Sequence, residues 1–315
     1  MKVAVTGAAG YIGGQTVLKL QEAGHEVYAC DTTRANPVLN QAARTWVIGD
    51  MAGSDWLHCL TQNQMDALIH CGGTSLVGPS VVDPEIYYRN NFVKTKSLVD
   101  HLHKHSPQTR IIFSSSASVY GDPVMTPCQE IDPIMPISPY GESKAMIEWL
   151  LNSYHNAYQT PYVAFRYFNA CGADSKNRHG QASGATHIIA RVLESVRDHK
   201  EFTIYGDKYP TRDGTCVRDY VHVEDIAQAH VMAAENLIPQ GVYNLGSNKG
   251  YSNRDIVNMA EHVTKQQVKL VMGTARPGDP AELVAHVEKV SSVSDWKPHY
   301  SIIDMIQHAW AWYNR

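Results

Sequence analysis

A glycine-rich turn directly after the first strand constrains the fold of this chain more than any other feature. Residues 2–6 form a short apolar run typical of a buried strand, and the chain then passes through Gly7, Gly10 and Gly13 into an amphipathic stretch over 11–23. Glycines permit a tight turn and the close approach of a pyrophosphate, and the start of a helix offers free N–H groups to its oxygens. This strand–turn–helix context predicts a dinucleotide-binding unit at the start of the chain.

The alternation of strands and helices continues through the first half of the chain. Apolar runs predict strands over 2–6, 26–30, 45–49, 66–70, 110–115 and 161–167. Amphipathic stretches predict helices over 11–23, 54–62, 84–105 and 140–158. The Asp83-Pro84 pair predicts an N-cap followed by proline at the first helical position. Strands that alternate with helices form a parallel sheet covered on both faces, so we expect an α/β fold with a doubly wound parallel sheet.

The regular alternation is lost after about residue 170. Glycine and polar residues dominate 170–184, and 206–217 is rich in turn residues. The other segments predict helices near 186–198, 223–237 and 253–264 and strands near 202–205 and 242–245. We therefore predict a dinucleotide-binding Rossmann domain over 1–169, with return segments near 219–246, and a smaller α/β substrate domain over 170–315.

Composition and charge exclude several classes of protein. The chain has 315 residues, of which 43% are hydrophobic, and its net charge is −4, so it can bury a core and lacks the basic excess of a nucleic-acid-binding surface. No apolar run approaches the roughly 18 residues of a membrane span, and the first residues lack a signal-peptide pattern. The six cysteines form no C-x-x-C pair and the sixteen histidines no zinc motif. We expect a cytoplasmic protein without a metal, a membrane anchor or a nucleic-acid partner.

An acidic residue at the end of the second strand indicates which dinucleotide is bound. Asp31 follows Gly13 by 18 residues. A carboxylate at this place accepts hydrogen bonds from the adenosine ribose hydroxyls and repels a 2′-phosphate, which favours NAD over NADP. Arg34 is an argument for NADP, because a nearby arginine could pair with that phosphate. Asp50, after the third strand, could contact the adenine or serve only as a turn carboxylate.

Candidate catalytic residues stand in a predicted helix and at the end of a predicted strand. Tyr140 and Lys144 are four apart, which places both on one helix face. An ammonium beside a phenol lowers the tyrosine pKa from its ordinary value of about 10, so Tyr140 could act as a base. Ser116 ends a run of hydroxyls after the strand over 110–115, and such strand ends face the ligand crevice. Each element alone also fits a solvated helix face or a strand-end turn, but their order along the chain predicts a redox site.

Together these motifs resemble the extended short-chain dehydrogenase/reductase superfamily and, within it, the UDP-glucose 4-epimerase family. The resemblance runs from end to end. Its segments are VTGAAGYIG (5–13), FSSSASVYGD (113–122), SPYGESK (138–144), RYFNACGA (166–173), ATHIIARV (185–192), IYGDKYPTRDGTCVRDYVHVEDIA (204–227), YNLGS (243–247), RPGDPAELVA (276–285) and DWKP (295–298). The most specific of them is YPTRDGTCVRDYVHV.

The resemblance implies a redox-neutral exchange of UDP-glucose and UDP-galactose through a 4-keto sugar, with tightly bound NAD. It makes Tyr140 the catalytic base, Lys144 the residue that holds the nicotinamide ribose, and Ser116 a proton relay. Further cofactor contacts are expected from Gly7, Gly10, Tyr11, Ile12, Gly13, Asp31, Asp50, Met51, Asn90, Ser114 and Tyr167. In addition to Ser116 and Tyr140, contacts with the UDP-sugar are expected from Asn169, His187, Tyr205, Arg218, Arg276, Asp279 and Leu283. A homodimer is expected through the helices over 84–105 and 140–158.

Some positions depart from the family pattern or leave alternatives open. Lys94 stands where glycine is common, and Ala190 replaces a usual proline. Leu283 is intermediate in size beside the expected sugar, which leaves UDP-N-acetylhexosamine, UDP-pentose and UDP-uronate open as substrates. A nucleotide-sugar dehydratase would carry an Asp-Glu pair where this chain has Ala117 and Ser118. A non-catalytic NAD-sensing module commonly lacks the tyrosine or the lysine, and both are present here.

Overall fold

Strands and helices alternate from the start of the chain in the computed structural model, which describes residues 1–276 and 279–315. The strands are β1 (Lys2–Thr6), β2 (Glu26–Asp31), β3 (Thr45–Ile48), β4 (Ala67–His70), β5 (Arg110–Ser116), β6 (Tyr162–Tyr167), β7 (Asn169–Cys171), β8 (Glu201–Tyr205), β9 (Val217–Arg218), β10 (Tyr220–His222), β11 (Gly241–Leu245), β12 (Tyr251–Ser252), β13 (Lys269–Gly273) and β14 (Glu282–Leu283). The helices are α1 (Tyr11–Glu22), α2 (Pro37–Ala42), α3 (Ser54–Asn63), α4 (Val77–Val82), α5 (Pro84–Tyr87), α6 (Lys94–His105), α7 (Pro139–Tyr158), α8 (Ile188–Arg197), α9 (Val223–Ala234), α10 (Asn253–Thr264), α11 (Glu288–Val293) and α12 (Ile302–Tyr313).

Seven parallel strands form the central sheet, in the order β11–β6–β5–β4–β1–β2–β3. The predicted doubly wound parallel sheet is thereby confirmed. The register pairs Thr6 with both Cys30 and His70, and Ser116 with Tyr167. The carboxyl ends of the central strands therefore meet at one edge of the sheet, which is where ligands bind in folds of this type.

Two hydrophobic layers hold the sheet from its opposite faces. On one face Leu20 of α1 and Ile226 of α9 pack with the buried side chains of β1, β2 and β6. On the other face Trp56 of α3, Leu98 of α6 and Leu151 of α7 pack against β4 and β5. All of these side chains are buried, so the loops at the carboxyl edge rest on a rigid platform. Within the described residues, no helix is both long enough and apolar enough to cross a membrane.

A third cluster of buried side chains lies in the later part of the chain, where α8, α10 and α12 pack together with β8. Strand β8 pairs with β13, and β9 pairs with both β12 and β14, which sets Leu283 beside Arg218. Strand β11 comes from this later part but joins the central sheet at its β6 edge. The division into domains over 1–169 and 170–315 stays a prediction.

The structure corrects several local predictions. The helix over 84–105 is divided into α5, a π-helical turn over Tyr88–Val93, and α6. Asp83 precedes Pro84 as predicted, but its side chain makes no capping hydrogen bond, because its backbone (φ −132°, ψ 78°) lies outside the extended conformation usual for an N-cap. The helix over 223–237 ends at Ala234. The sequence reasoning did not predict α2, α4, α11, α12, β7, β9, β10, β12, β13 and β14. Most of these elements are short, and a strand of two or three residues is too short to show the alternation of apolar and polar side chains that predicts a strand.

Candidate active site

A cavity of about 980 Å³ opens at the carboxyl edge of the central sheet, and a recess of about 160 Å³ adjoins it. The larger cavity is at the upper end of the roughly 300–1,000 Å³ typical of small-molecule sites. Its lining includes every residue predicted to bind the cofactor, namely Gly7, Gly10, Tyr11, Ile12, Gly13, Asp31, Asp50, Met51, Asn90, Ser114, Tyr140, Lys144 and Tyr167. The structure thus brings the predicted cofactor residues together, while their individual roles stay predictions.

The glycine turn has the geometry that a pyrophosphate needs. Gly7 adopts a φ of +66°, and its carbonyl accepts a hydrogen bond from the Gly10 amide at 3.1 Å. A Cβ at Gly13 would lie 2.1 Å from the Gly7 oxygen, so only glycine fits there. Gly10 is the N-cap of α1 and has no side chain to occupy the free amides of the first helical turn. These amides and the helix dipole suit the phosphates of a dinucleotide.

Two carboxylates lie beside this turn in the cavity lining. One oxygen of Asp31 accepts from the Ala9 amide at 3.0 Å, and the other accepts from the amide and hydroxyl of Thr33. These bonds hold the carboxylate at the end of β2, where a ribose would lie. Asp50 pairs with Lys94 at 2.5 Å. Burial raises the pKa of Asp50, but the bonds it accepts, above all from Lys94, bring the pKa below its ordinary value.

The three predicted catalytic residues meet at the end of β5 and the start of α7. Ser138 caps α7 by accepting from the Gly141 amide at 3.2 Å, which fixes where the helix begins. Tyr140 therefore lies in the first turn and lines the cavity together with Ser116, whose hydroxyl donates to that of Ser118 at 3.1 Å. Lys144 lies one turn further on and donates to the Ser114 carbonyl at 2.8 Å, with its nitrogen 5.7 Å from the centre of the Tyr140 ring.

Burial shifts the pKa values of Tyr140 and Lys144 in this set of residues. Burial raises the pKa of Tyr140 above its ordinary value, and the Ser116 hydroxyl acts in the opposite direction and lowers it. The spacing predicted a lowered pKa for Tyr140, whereas in the protein alone burial of the phenol raises it and the Lys144 ammonium is engaged by the Ser114 carbonyl. Burial also lowers the pKa of Lys144 to about 8. In the protein alone, burial therefore disfavours release of the Tyr140 proton, and Ser116 opposes this effect.

A buried hydrogen-bond chain ties α1 to the strand that carries these residues. The Thr16 hydroxyl donates to the Ile12 carbonyl at 2.9 Å and accepts from Nδ1 of His230 at 2.8 Å. Nε2 of His230 then accepts from the hydroxyl of Tyr167, which in turn lies 3.0 Å from the Ser114 hydroxyl. Burial lowers the pKa of His230 to about 3, so the ring is neutral and its two nitrogens keep these distinct roles. This series of hydrogen bonds fixes the position of α1, which carries the glycine turn, relative to Ser114 at the end of β5.

The predicted substrate residues lie around the catalytic set and the adjoining recess. Ser116, Tyr140 and Leu283 line the large cavity, Arg218 and Asp279 line the recess, and both spaces are lined by Asn169, His187, Tyr205 and Arg276. Arg218 donates to Asp279 at 2.7 Å, and the guanidinium of Arg276 lies 4.1 Å from the centre of the Tyr205 ring. We call this space the arginine recess, defined by Arg191, Arg218, Arg276, Asp279 and Tyr205. Guanidinium groups of this kind suit a diphosphate.

Comparison with known proteins agrees with this geometry. Residues 3–246 match the NAD dependent epimerase/dehydratase family. The chain belongs to that family. The family's cofactor is NAD, and the glycine turn and Asp31 described above fit it.

Similarity to known 4-epimerases extends over essentially the whole chain. The UDP-glucose 4-epimerase of Halalkalibacterium halodurans is 40% identical over 320 residues, which are 99% of this chain and 96% of the relative. The UDP-glucose 4-epimerase of Bifidobacterium longum, solved with NAD+ and UDP, has a TM-score of 0.92 at 34% identity, covering 100% of this chain and 98% of its own. The UDP-Glc/GlcNAc 4-epimerase of Campylobacter jejuni has a TM-score of 0.85 at 29% identity, and 99% of both chains is covered.

Sequence reasoning missed some residues of the site in this member of the epimerase/dehydratase family. Lys94 was noted only as a departure, yet it lines the cavity and pairs with Asp50. Arg191 lines both the cavity and the recess. It stands within the segment 185–192 that contributes to the family resemblance, but the resemblance assigned it no ligand role. Among residues 1–276 and 279–315, no group of three or more His, Cys, Asp or Glu side chains is arranged to hold a metal ion.

Proposed function

We propose that this protein is a UDP-glucose 4-epimerase that interconverts UDP-glucose and UDP-galactose while retaining NAD. The observation that carries the proposal is the order of features along one cavity. The glycine turn follows β1, Ser116 ends β5 beside Tyr140 and Lys144, and Asn169 after β6 lines both the cavity and the arginine recess, while the sheet order runs β1–β4–β5–β6. A dinucleotide and a sugar nucleotide that enter from the two ends would meet at Tyr140. The family and the full-length relatives support this assignment.

The reaction that these residues suit is the removal and return of hydrogen at the sugar C4. Tyr140 takes the proton of the 4-hydroxyl, and the nearby Ser116 hydroxyl favours the ionised phenol by lowering its pKa. The glycine turn and Asp31 would hold NAD, which would supply the acceptor and donor for the C4 hydride, so that the 4-keto sugar could be reduced again on its opposite face. Tyr140 then returns its proton to the sugar oxygen. Lys144, held at the Ser114 carbonyl, contributes positive charge near the phenol below a pH of about 8.

The residues after β5 argue against a dehydratase. Elimination of water needs an acid and a base close to the sugar. Ala117 and Ser118 form a 3₁₀ turn directly after Ser116, and neither carries a carboxylate. Redox-neutral epimerisation needs only the one proton-transfer residue that the site provides. The presence of both Tyr140 and Lys144 likewise argues against a non-catalytic NAD-sensing module.

The test is turnover without added cofactor. The purified protein is incubated with UDP-galactose, and separately with UDP-N-acetylgalactosamine, and the 4-epimers are quantified. Conversion of UDP-galactose is expected. The ratio of the two rates shows how well the pocket beside Leu283 accommodates an N-acetyl group. Tyr140→Phe should lose about 10²–10⁴-fold in kcat and still bind UDP. Tyr158→Phe, which changes an exposed tyrosine of the same helix, is the control. No conversion even with NAD added, or near-normal turnover by Tyr140→Phe, would contradict the proposal.

We also propose a homodimer and a cytoplasmic location. Val93, next to α6, and Trp149 of α7 expose 55% and 53% of their surface, which suits helices that pack against a second copy. All six cysteines are free, as is usual in a reducing compartment. Light scattering should give the mass of two chains, and Trp149→Glu should reduce it to one. A monomeric wild-type protein would contradict the dimer, and fractionation of the producing cells tests the compartment.

A further inference from the structure

The junction between the large cavity and the arginine recess is the part of the site with the most uncompensated charge. Arg191 and Arg276 line both spaces, whereas Arg218 and Asp279 line only the recess. Within the described ranges 1–276 and 279–315, only Arg218 of the three arginines pairs with a carboxylate, that of Asp279. Three guanidinium groups against one carboxylate leave two positive charges in excess. Burial lowers the pKa of His187, so it adds no charge here at neutral pH.

Arg191 is placed at this junction by local structure. Its amide bonds the His187 carbonyl at 3.0 Å in the first turn of α8, so the side chain starts at the helix end nearest the cavity. The guanidinium carbon lies 5.6 Å from the ring centre of Phe202 and 5.7 Å from that of Tyr205. These two rings lie on β8 and support the charged group from the side, which orients it at low entropic cost.

We propose that Arg191 is a third ligand of the diphosphate of the sugar nucleotide, beside Arg218 and Arg276. This inference rests on the proposed function. With the sugar at Tyr140 in the large cavity, the side of the arginine recess is left for the nucleoside, so the diphosphate that joins them would cross the junction. The two negative charges of the diphosphate match the two uncompensated positive charges there. Charge-assisted bonds between arginine and phosphate oxygens are among the strongest that a surface can offer.

The experiment measures binding to the holoenzyme rather than turnover. UDP and uridine are titrated into wild-type protein and into Arg191→Met, which keeps the packing of the side-chain stem and removes the charge. The affinity for UDP should fall about tenfold or more, as expected for a hydrogen-bonded charge, while the affinity for uridine stays within about twofold. Arg191→Lys should recover part of the loss. Arg197→Met is the control, because Arg197 lies on the same helix and pairs with Asp198.

Kinetics and salt dependence separate this role from a structural one. Loss of a diphosphate contact raises KM for UDP-galactose and leaves kcat nearly unchanged, because the contact is equally strong in the ground and transition states. It also makes UDP binding less sensitive to salt. Equal losses for UDP and uridine would show that Arg191 only supports Tyr205, and unchanged UDP affinity would overturn the proposal outright. A wild-type protein that binds no UDP would contradict both proposals, whereas one that binds UDP but converts no sugar would refute only the proposed function.

Discussion

Removal of the Arg166 guanidinium should destabilise the protein more than any surface substitution. Arg166 of β6 and Glu148 of α7 are each 3% exposed and form a buried ion pair with an Nη2–Oε2 distance of 2.7 Å. Nε of the arginine lies 3.1 and 3.3 Å from the two carboxylate oxygens, and Nη1 donates to the Tyr120 hydroxyl at 2.9 Å. The carboxylate also accepts from Ser115. The pair thus joins the helix that carries Tyr140 to strand β6 of the central sheet.

The magnitude follows from what Arg166→Met leaves behind. Glu148 would stay buried, and of its present hydrogen-bond donors only the Ser115 hydroxyl would remain. Leaving a buried charge without its partner lowers the free energy of unfolding by about 3–5 kcal/mol. The double variant Arg166→Met/Glu148→Met removes both charges and should cost less than about 2 kcal/mol, because apolar side chains of similar volume replace a buried pair almost without loss. Because Glu148 lies one helical turn after Lys144, the single variant should also lower kcat.

Urea denaturation of the wild type and the variants provides the free energies of unfolding. The matched control is Glu85→Gln, which breaks the exposed Arg89–Glu85 pair, whose side chains are 56% and 67% exposed. Such a pair contributes about 0.5 kcal/mol or less. A loss below about 1 kcal/mol for Arg166→Met, or a double variant as unstable as the two single losses added together, would refute the reasoning from burial.

Three further predictions concern the cofactor and the catalytic base. Ser116→Ala removes the hydroxyl that lowers the pKa of Tyr140, so the acidic limb of the kcat/KM profile should move to higher pH; an unmoved limb would exclude this role. Gly13→Ala places a Cβ 2.1 Å from the Gly7 oxygen, so the protein should purify without the absorbance of bound NAD, and full occupancy would contradict the packing argument. Asp31→Ser removes the carboxylate that repels a 2′-phosphate, so the preference for NAD over NADP should narrow by about tenfold or more, as measured by competitive binding to cofactor-depleted protein; an unchanged ratio would place the selectivity elsewhere.

The fold could be predicted well where secondary structure has a local signal. Buried parallel strands are continuous apolar runs, and the helices between them show a clear amphipathic period, so the central sheet was predictable. The π-helical turn over Tyr88–Val93 was not, because it keeps the chain helical and changes only the hydrogen-bond partners. Strands β9 and β14 were missed because each has two residues and is defined only by its pairing across the fold.

The same distinction applies to the site. The glycine turn and the pair Tyr140 and Lys144 are sequence-local patterns, so their positions in the cavity could be predicted. Arg218 meets Asp279 across 61 residues, and Arg191 meets Tyr205 from a neighbouring element, and such contacts exist only after folding. The pKa of Tyr140 could not be predicted from spacing either, because it is governed mainly by burial. Sequence motifs were therefore enough to locate the catalytic residues. The charge balance of the site could be worked out only from the structure.

The most direct test of the account follows the hydrogen at the sugar C4. UDP-galactose carrying deuterium at C4 is converted by the purified protein in ordinary water with no NAD added, and the UDP-glucose formed is examined by mass spectrometry and proton NMR. The product should keep the deuterium at C4, because the same hydride leaves and returns within the site while Tyr140 transfers only the hydroxyl proton. Replacement of the C4 deuterium by solvent hydrogen would contradict it.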